Sequence, residues 1–236
     1  MNKLHVLSGG AAQGLVKTLA PTFTAATGLR IDGEFGAVGV MAEKLRNGAA
    51  ADTIILTSAL VATLAAEKLV SSTSIRDIGL VETALAVRAG DPPVAARDAA
   101  SLREALRAAD AIFVPDTKAS TAGIHVAKVL RQLGIAREVE QRLRIFPNGA
   151  TAMRHLAESE ARRPIGCTQS TEIIATNGVA LSGALPPGCA LATQYTAAIT
   201  TRTSAAPAAE RLIDLLTATE TEEARSRAGF VPSRSV

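Results

Sequence analysis

Small, polar and nearly uncharged residues occur at six places where a predicted strand is followed by a predicted helix. Ser and Thr hydroxyls donate hydrogen bonds, and Gly lets a ligand approach the backbone closely. The start of a helix adds unpaired N–H groups and the positive end of the helix dipole, so such junctions can bind an anion. The candidate ligand-binding residues are Ser8, Gly9, Gly10, Gly36, Val38, Gly39, Thr57, Ser58, Ser120, Thr121, Asn148, Gly149, Ala150, Gln169 and Ser170.

The same residue types are the ordinary N-caps of helices, so structural capping is an alternative explanation of each junction. The glycine-rich junctions at 8–10 and 36–39 lack the spacing of a dinucleotide-binding fingerprint and the lysine of a P-loop. The pattern therefore favours a small anion over a nucleotide. No motif indicates a cofactor.

Histidine supplies the candidate for proton transfer. His125 is placed in the first turn of the helix that follows Ser120, where a neutral imidazole could accept a proton if the protein is an enzyme. A hydrogen-bonded structural role is the alternative for His125. His5, in a predicted strand, and His155, on a predicted helix, are expected to be structural.

The two cysteines, Cys167 and Cys189, do not form a metal motif with the histidines, because no pair has the spacing of metal ligands. No metal site is predicted. A buried free thiol is the expected state of Cys167. A nucleophilic pair of Cys167 with His125 stays open, although nothing in the spacing supports it.

Short apolar runs alternate with longer amphipathic segments, which is the pattern of an α/β protein. The predicted strands are 4–7, 29–35, 53–56, 80–88, 111–114, 143–146, 165–168 and 194–201. The predicted helices are 12–26, 38–47, 59–68, 100–108, 122–133 and 150–159, with one or two more within 206–225.

Two rigid breaks, Asp91-Pro92-Pro93 and Pro186-Pro187-Gly188, divide this series into two predicted lobes. Lobe 1 comprises 1–82 and 196–236, and lobe 2 comprises 83–195, with hinge crossings near 80–88 and 190–198. Ligands of parallel α/β sheets bind outside the carboxyl ends of the strands. If the lobes face each other, all six junctions line one cleft.

The composition narrows the function. The chain has 236 residues, of which 47% are hydrophobic, and this content excludes a disordered chain. Its charge of +3 is spread along the sequence and only 3% of its residues are aromatic, so nucleic-acid binding is not expected. The longest weakly polar run, 54–66, is too short to cross a bilayer.

The first residues contain no apolar core of signal-peptide type. A cytoplasmic location is expected if Met1 is native, and a periplasmic one if a signal peptide was removed ahead of it.

Six segments spread over nearly the whole chain belong together: 4–11, 35–45, 51–58, 122–125, 165–169 and 228–230. Taken together, they resemble the molybdate-binding solute-binding proteins of ABC transporters. The resemblance implies a type II periplasmic-binding-protein fold, in which each lobe is a mixed sheet flanked by helices and the ligand lies in the interlobe cleft. It also implies an ABC permease as a partner if the protein is exported.

The chain departs from that family at three side-chain donors. The serine expected after the first strand falls on Gly10, and the serine cluster after the second strand falls on Ala37-Val38-Gly39. The tyrosine expected after the strand at 165–168 falls on Gln169. Each lost hydrogen bond to a charged ligand costs about 1.5 to 3 kcal/mol, which argues against molybdate. The glycines instead leave room for a larger anion.

Three functions follow from these residues and the resemblance. The first is a solute-binding domain for a small anion, an organic di- or tricarboxylate. The second is a cofactor-independent double-bond or cis–trans isomerase of an unsaturated carboxylate, like the aconitate-isomerase-like members of the family, with His125 as the base. The third is a molybdate or tungstate receptor. In the isomerase, the predicted carboxylate holders are Ser8, Thr57, Ser58, Thr121, Asn148, Gln169 and Ser170.

Overall fold

The computed structural model describes residues 3–232. The chain divides into two compact units. Unit 1 comprises Met1–Val81 and Thr193–Val236, and unit 2 comprises Glu82–Ala192. In chain order the elements are β1 (Lys3–Gly9), α1 (Gln13–Thr27), β2 (Arg30–Gly36), α2 (Val38–Arg46), β3 (Thr53–Thr57), α3 (Ser58–Ala66), β4 (Arg76–Arg88), α4 (Ala99–Ala108), β5 (Ala111–Pro115), α5 (Thr121–Gln132), α6 (Ala136–Val139), β6 (Leu143–Phe146), α7 (Gly149–Ala157), β7 (Pro164–Gln169), α8 (Ser170–Ile174), β8 (Val179–Ala184), β9 (Ala192–Ile199), α9 (Ala206–Thr217) and α10 (Glu222–Arg227).

Unit 1 is built on a sheet with the strand order β2-β1-β3-β9. β1 runs parallel to β2 and β3, whereas β9 is antiparallel to β3. Leu15, Leu19 and Phe23 of α1 are buried in the core of this unit, because their spacing places them on one face of the helix. The helix ends at Gly28, whose φ of 71° is the left-handed conformation that glycine adopts without strain.

Unit 2 is built on a sheet with the strand order β8-β4-β7-β5-β6. β5, β6 and β7 are parallel, and β4 is antiparallel to both β7 and β8. Ile165 and Cys167 of β7 share a hydrophobic cluster with Val126 of α5. Gly166, on the other face of the strand, lies against Met153 of α7. α5 and α7 therefore cover opposite faces of the sheet in unit 2.

Every predicted strand and helix is present in the structure, with bounds that differ by a few residues. β4 is longer than predicted, since it begins at Arg76. Three elements of unit 2 were not predicted: the short helices α6 and α8 and the strand β8. None of the helices within residues 3–232 is both long and apolar enough to cross a membrane.

Candidate functional site

Three of the predicted junctions lie together at one edge of the sheet in unit 1. Ser8 is paired with Phe35 of β2 and with Ile55 of β3, so the three parallel strands end at neighbouring positions. Residues 8–10, 36–39 and 57–58 comprise the last residues of these strands and the residues directly after them. The structure thus brings the candidate residues of unit 1 to the carboxyl edge of β1, β2 and β3, as predicted.

Side-chain capping does not explain the helix starts of unit 1. Ala37 and Thr57 are the N-cap residues of α2 and α3, and within the described chain neither makes a side-chain cap hydrogen bond. Ser8 is buried, and its hydroxyl donates to the backbone oxygen of Gly9 at 2.9 Å. Thr57 is buried and Ser58 is exposed.

Two glycines at the strand ends of unit 1, Gly9 and Gly36, lie close to neighbouring side chains. A Cβ atom on Gly9 would lie 2.7 Å from Cγ1 of Val38 and 3.0 Å from Cε1 of Tyr195. A Cβ on Gly36 would lie 3.0 Å from Cε of Met41. Neighbouring side chains of unit 1 therefore lie close to the Cβ positions of these two glycines, and the expectation that the glycines leave space for a larger anion stays a prediction.

The other three junctions lie at the carboxyl edge of the sheet in unit 2. Pro115 at the end of β5 is paired with Phe146 at the end of β6, and Phe113 is paired with Gly166 of β7. Residues 120–121 and 148–150 follow β5 and β6, and residues 169–170 are the last residue of β7 and the first of α8.

Two side chains of unit 2, those of Asn148 and Glu172, lie at the junction where α7 begins. Asn148 is a true N-cap, since its side-chain oxygen accepts the Thr151 N–H at 2.8 Å. The side chain of Glu172, which is buried, accepts the hydroxyl of Thr168 at 2.6 Å and lies next to the backbone N–H groups of Gly149 and Ala150. Glu172 therefore lies where the N–H groups of residues 149 and 150 are predicted to bind a ligand.

Gly149 is needed for this arrangement. A Cβ atom there would lie 1.9 Å from Oε2 of Glu172 and 2.1 Å from Oγ1 of Thr168, closer than any real contact. Burial raises the pKa of Glu172, and the hydrogen bonds from Thr168 and the backbone oppose that shift. The sequence signal for Glu172 is its position as the one charged residue between Pro164 and Ala175.

The start of α5 is different. Its N-cap, Ser120, makes no side-chain cap hydrogen bond to any described residue. The loop ahead of it is held by Asp116, whose carboxylate accepts the N–H groups of Lys118 and Ala119 at 2.7 and 2.9 Å. A Cβ on Gly123 would lie 2.1 Å from the Asp116 backbone oxygen, so the first turn of α5 packs tightly on this loop.

Gln169 supplies the polar group beside α5. It follows Ile165 and Cys167 at alternate positions of β7, so it lies on the face that α5 covers. Its side chain is 2% exposed, and neither Nε2 nor Oε1 has a hydrogen-bond partner among residues 3–232.

Thr83 of β4 was not among the predicted site residues, yet it is paired directly with Gln169 across the sheet. It is 1% exposed, and its hydroxyl also has no partner in the described part of the chain. Paired residues of antiparallel strands point to the same face. Each unsatisfied buried polar group costs about 1 to 3 kcal/mol, so this pair marks a place where a polar ligand would be stabilising. We call Thr83, Gln169 and the first turn of α5 the Gln169 site.

His125 lies one turn into α5 and has a structural contact. Its Nε2 is 2.7 Å from the backbone oxygen of Cys189. Because a carbonyl only accepts, Nε2 carries the proton, and Nδ1 is the nitrogen that can act as a base in the neutral ring. Gln132 donates to the Gly188 oxygen at 2.9 Å, so α5 is fixed to this loop at two points.

A nucleophilic role for Cys167 is not supported. Burial raises the pKa of its thiol to about 12, and burial also raises the pKa of Cys189. The thiolate, which is the reactive form, is therefore scarce at neutral pH. His5 and His155 have contacts of their own: Nδ1 of His5 is 3.5 Å from Oδ2 of Asp32, and His155 stacks on Phe146 at the end of β6.

A family model described as "Bacterial extracellular solute-binding protein" matches residues 4–231. The chain belongs to this family. It is a solute-binding domain of the ABC-transporter type, and the predicted α/β periplasmic-binding-protein fold is confirmed.

Two solved structures share this fold. The periplasmic molybdate-binding protein of Azotobacter vinelandii matches with a TM-score of 0.83 at 18% identity, covering 98% of this chain and 100% of that one. The sulfate-binding protein of Mycobacterium tuberculosis matches with a TM-score of 0.75 at 18% identity, covering 99% and 88%.

A curated relative, an aconitate isomerase from Pseudomonas sp, is 25% identical over 240 residues, which cover 97% of this chain and 87% of the relative. The resemblance to the molybdate-binding type of solute-binding protein and its aconitate-isomerase-like members is therefore confirmed. The prediction that the six junctions face one another across a cleft stays a prediction.

Proposed function

We propose that this chain binds a small organic di- or tricarboxylate, and that the Gln169 site holds one of its carboxylate groups. The observation that carries the proposal is the buried, unpartnered amide of Gln169 beside the first turn of α5. The Nε2 of Gln169, the hydroxyl of Thr83 and the N–H groups of the helix start are all donors, and donors are what a carboxylate needs. The helix dipole of α5 adds a favourable field for negative charge.

Selectivity against a metal oxyanion follows from the same residues. The amide of Gln169 and the hydroxyl of Thr83 are two uncharged donors on one face of the sheet, and the two oxygens of a carboxylate can accept from both. The start of α7 does not contribute to the Gln169 site, because the side chain of Glu172 lies against it. Titration calorimetry with succinate, malate, citrate, aconitate, molybdate and sulfate tests the proposal: we expect heat with one or more carboxylates and none with molybdate. Binding at 100 times Kd also stabilises the fold by about 2.7 kcal/mol, which a thermal-unfolding shift reports.

A second candidate function is favoured by the aconitate isomerase relative, which matches nearly the whole chain. In that case His125 removes a proton from a carbon next to the double bond and returns it to the far end of the allylic system. One proton leaves and one is added, so the double bond moves without a cofactor. The Nε2 contact with Cys189 leaves Nδ1 as the base.

Proton NMR of cis-aconitate incubated with the protein in D2O distinguishes the two functions. An isomerase forms the trans isomer and incorporates deuterium, whereas a binding protein leaves the spectrum unchanged. His125→Ala should abolish turnover, and His155→Ala is the matched control because that histidine is exposed on α7. Turnover that survives in His125→Ala would remove His125 from the mechanism.

A further inference from the structure

The Gln169 site concentrates unpaired polar atoms. Among residues 3–232, six buried side-chain nitrogen or oxygen atoms have no hydrogen-bond partner, and three of them belong to the paired residues Thr83 and Gln169. Native proteins leave few such groups, and each one needs an explanation. Three unpartnered atoms on the paired residues Thr83 and Gln169 indicate a ligand group that makes several hydrogen bonds.

The three atoms differ in what they require. Nε2 of Gln169 and the hydroxyl of Thr83 can both donate to a carboxylate. Oε1 of Gln169 can only accept, so it needs a donor from the ligand. A deprotonated carboxylate, molybdate and sulfate offer acceptors only, and each would leave Oε1 buried and unpaired.

We infer that the ligand of the Gln169 site is a hydroxycarboxylic acid, whose hydroxyl donates to Oε1 of Gln169 while its carboxylate accepts from Nε2 and from Thr83. This inference rests on the proposed function and narrows its substrate class. Gln169 is then a specificity-determining residue that reads the hydroxyl, and Thr83 is a general carboxylate donor.

Two pairs of acids that differ by one hydroxyl test the inference: citrate with tricarballylate, and malate with succinate. Titration calorimetry of the full chain should give at least about tenfold tighter binding for the hydroxylated member of one pair, because a site built to bind a hydroxyl rejects the analogue that lacks it. Equal affinities within both pairs would overturn the inference while leaving carboxylate binding intact.

Variants assign the effect to single atoms. Gln169→Met should bring the affinity ratio of the pair close to one, because Oε1 is removed. Thr83→Val should weaken both acids of a pair by a similar factor and preserve the ratio. Thr53→Val is the matched control, since Thr53 is an equally buried threonine of unit 1 whose hydroxyl also has no partner in the described chain. It should change neither affinity.

Further outcomes are decisive too. Gln169→Met should raise the melting temperature of the ligand-free protein, because it removes two unpaired buried atoms. A ratio that persists in Gln169→Met would contradict the assignment, and if that variant does not fold, the wild-type ratio and Thr83→Val decide. Binding of inorganic phosphate in place of every acid would identify a different hydroxyl-bearing anion and overturn the carboxylate class. No binding of any acid would reject the proposed function and the inference with it.

Discussion

Replacing Gly149 with alanine is expected to destabilise unit 2 strongly. The added methyl would lie 1.9 Å from Oε2 of Glu172 and 2.1 Å from Oγ1 of Thr168. Both partners are buried, so the carboxyl group of Glu172 must move away from the start of α7 and from the Thr168 hydroxyl that it accepts. Gly149 is not among the residues with positive φ, so alanine causes no backbone strain there, and on helix propensity alone it would stabilise the helix by about 0.5 to 1 kcal/mol.

The magnitude follows from two terms. Overpacking a tight site costs about 1 to 3 kcal/mol. Weakened hydrogen bonds to a buried charged group add about 1.5 to 3 kcal/mol. Together the terms give about 2.5 to 6 kcal/mol, and the gain in helix propensity offsets about 0.5 to 1 kcal/mol of this. We therefore expect Gly149→Ala to lower the free energy of unfolding by about 1.5 to 5.5 kcal/mol, a large fraction of the 5 to 15 kcal/mol that holds a typical protein folded.

Urea unfolding followed by circular dichroism measures this loss. A double-mutant cycle with Glu172→Ala isolates the Glu172 contact, because removing the carboxyl group leaves only Oγ1 of Thr168 close to the added methyl. The cost of Gly149→Ala should be smaller in the Glu172→Ala background. A stabilising Gly149→Ala, or an equal cost in both backgrounds, would refute the assignment of Glu172 to the start of α7.

Other predictions concern the pH dependence, the thiols and the packing of unit 1. Because burial raises the pKa of Glu172, the folded state holds that proton to higher pH than the unfolded state; its contribution to stability is present below pH 4.5 and is lost as the pH rises through the folded pKa. Glu172→Gln should therefore gain stability relative to the wild type as the pH rises above 4.5 in urea unfolding, and a constant difference from pH 4.5 to 8 would contradict this. Cys167 and Cys189 should not react with a thiol reagent at pH 7 until the protein is denatured, and rapid labelling of the native protein would show that Cys167 is not buried as described. Gly9→Ala should cost about 1 to 3 kcal/mol through its contact with Val38, and Val38→Ala should relieve part of that cost; an additive pair would argue against the contact.

The sequence predicted the fold well because most elements of both units carry strong local patterns. The apolar spacing of α1 and Gly28 at its end are sufficient to predict that helix. β8 was missed because its residues, VALSGA, are small and only partly buried, and its pairing with β4 is irregular between Leu85 and Ala86. α8 has five residues, too few for a helical period to be visible.

The positions of the candidate residues at the strand ends were predictable from the sequence, but their tertiary contacts were not. The strand-to-helix junctions could be predicted because hydroxyl residues and glycine follow apolar runs. The filling of the α7 start by Glu172 depends on a tertiary contact through Gly149, and the sequence gives only a lone charge in an apolar stretch as a hint. Thr83 became a site residue only through its register with Gln169, which sequence spacing does not contain.

Titration calorimetry of the purified chain with organic carboxylates and with molybdate tests the central claim most directly. We predict saturable binding of a di- or tricarboxylate with one site, weakened by Gln169→Met and unchanged by Thr53→Val. Tight binding of molybdate with no heat from any carboxylate would contradict the account.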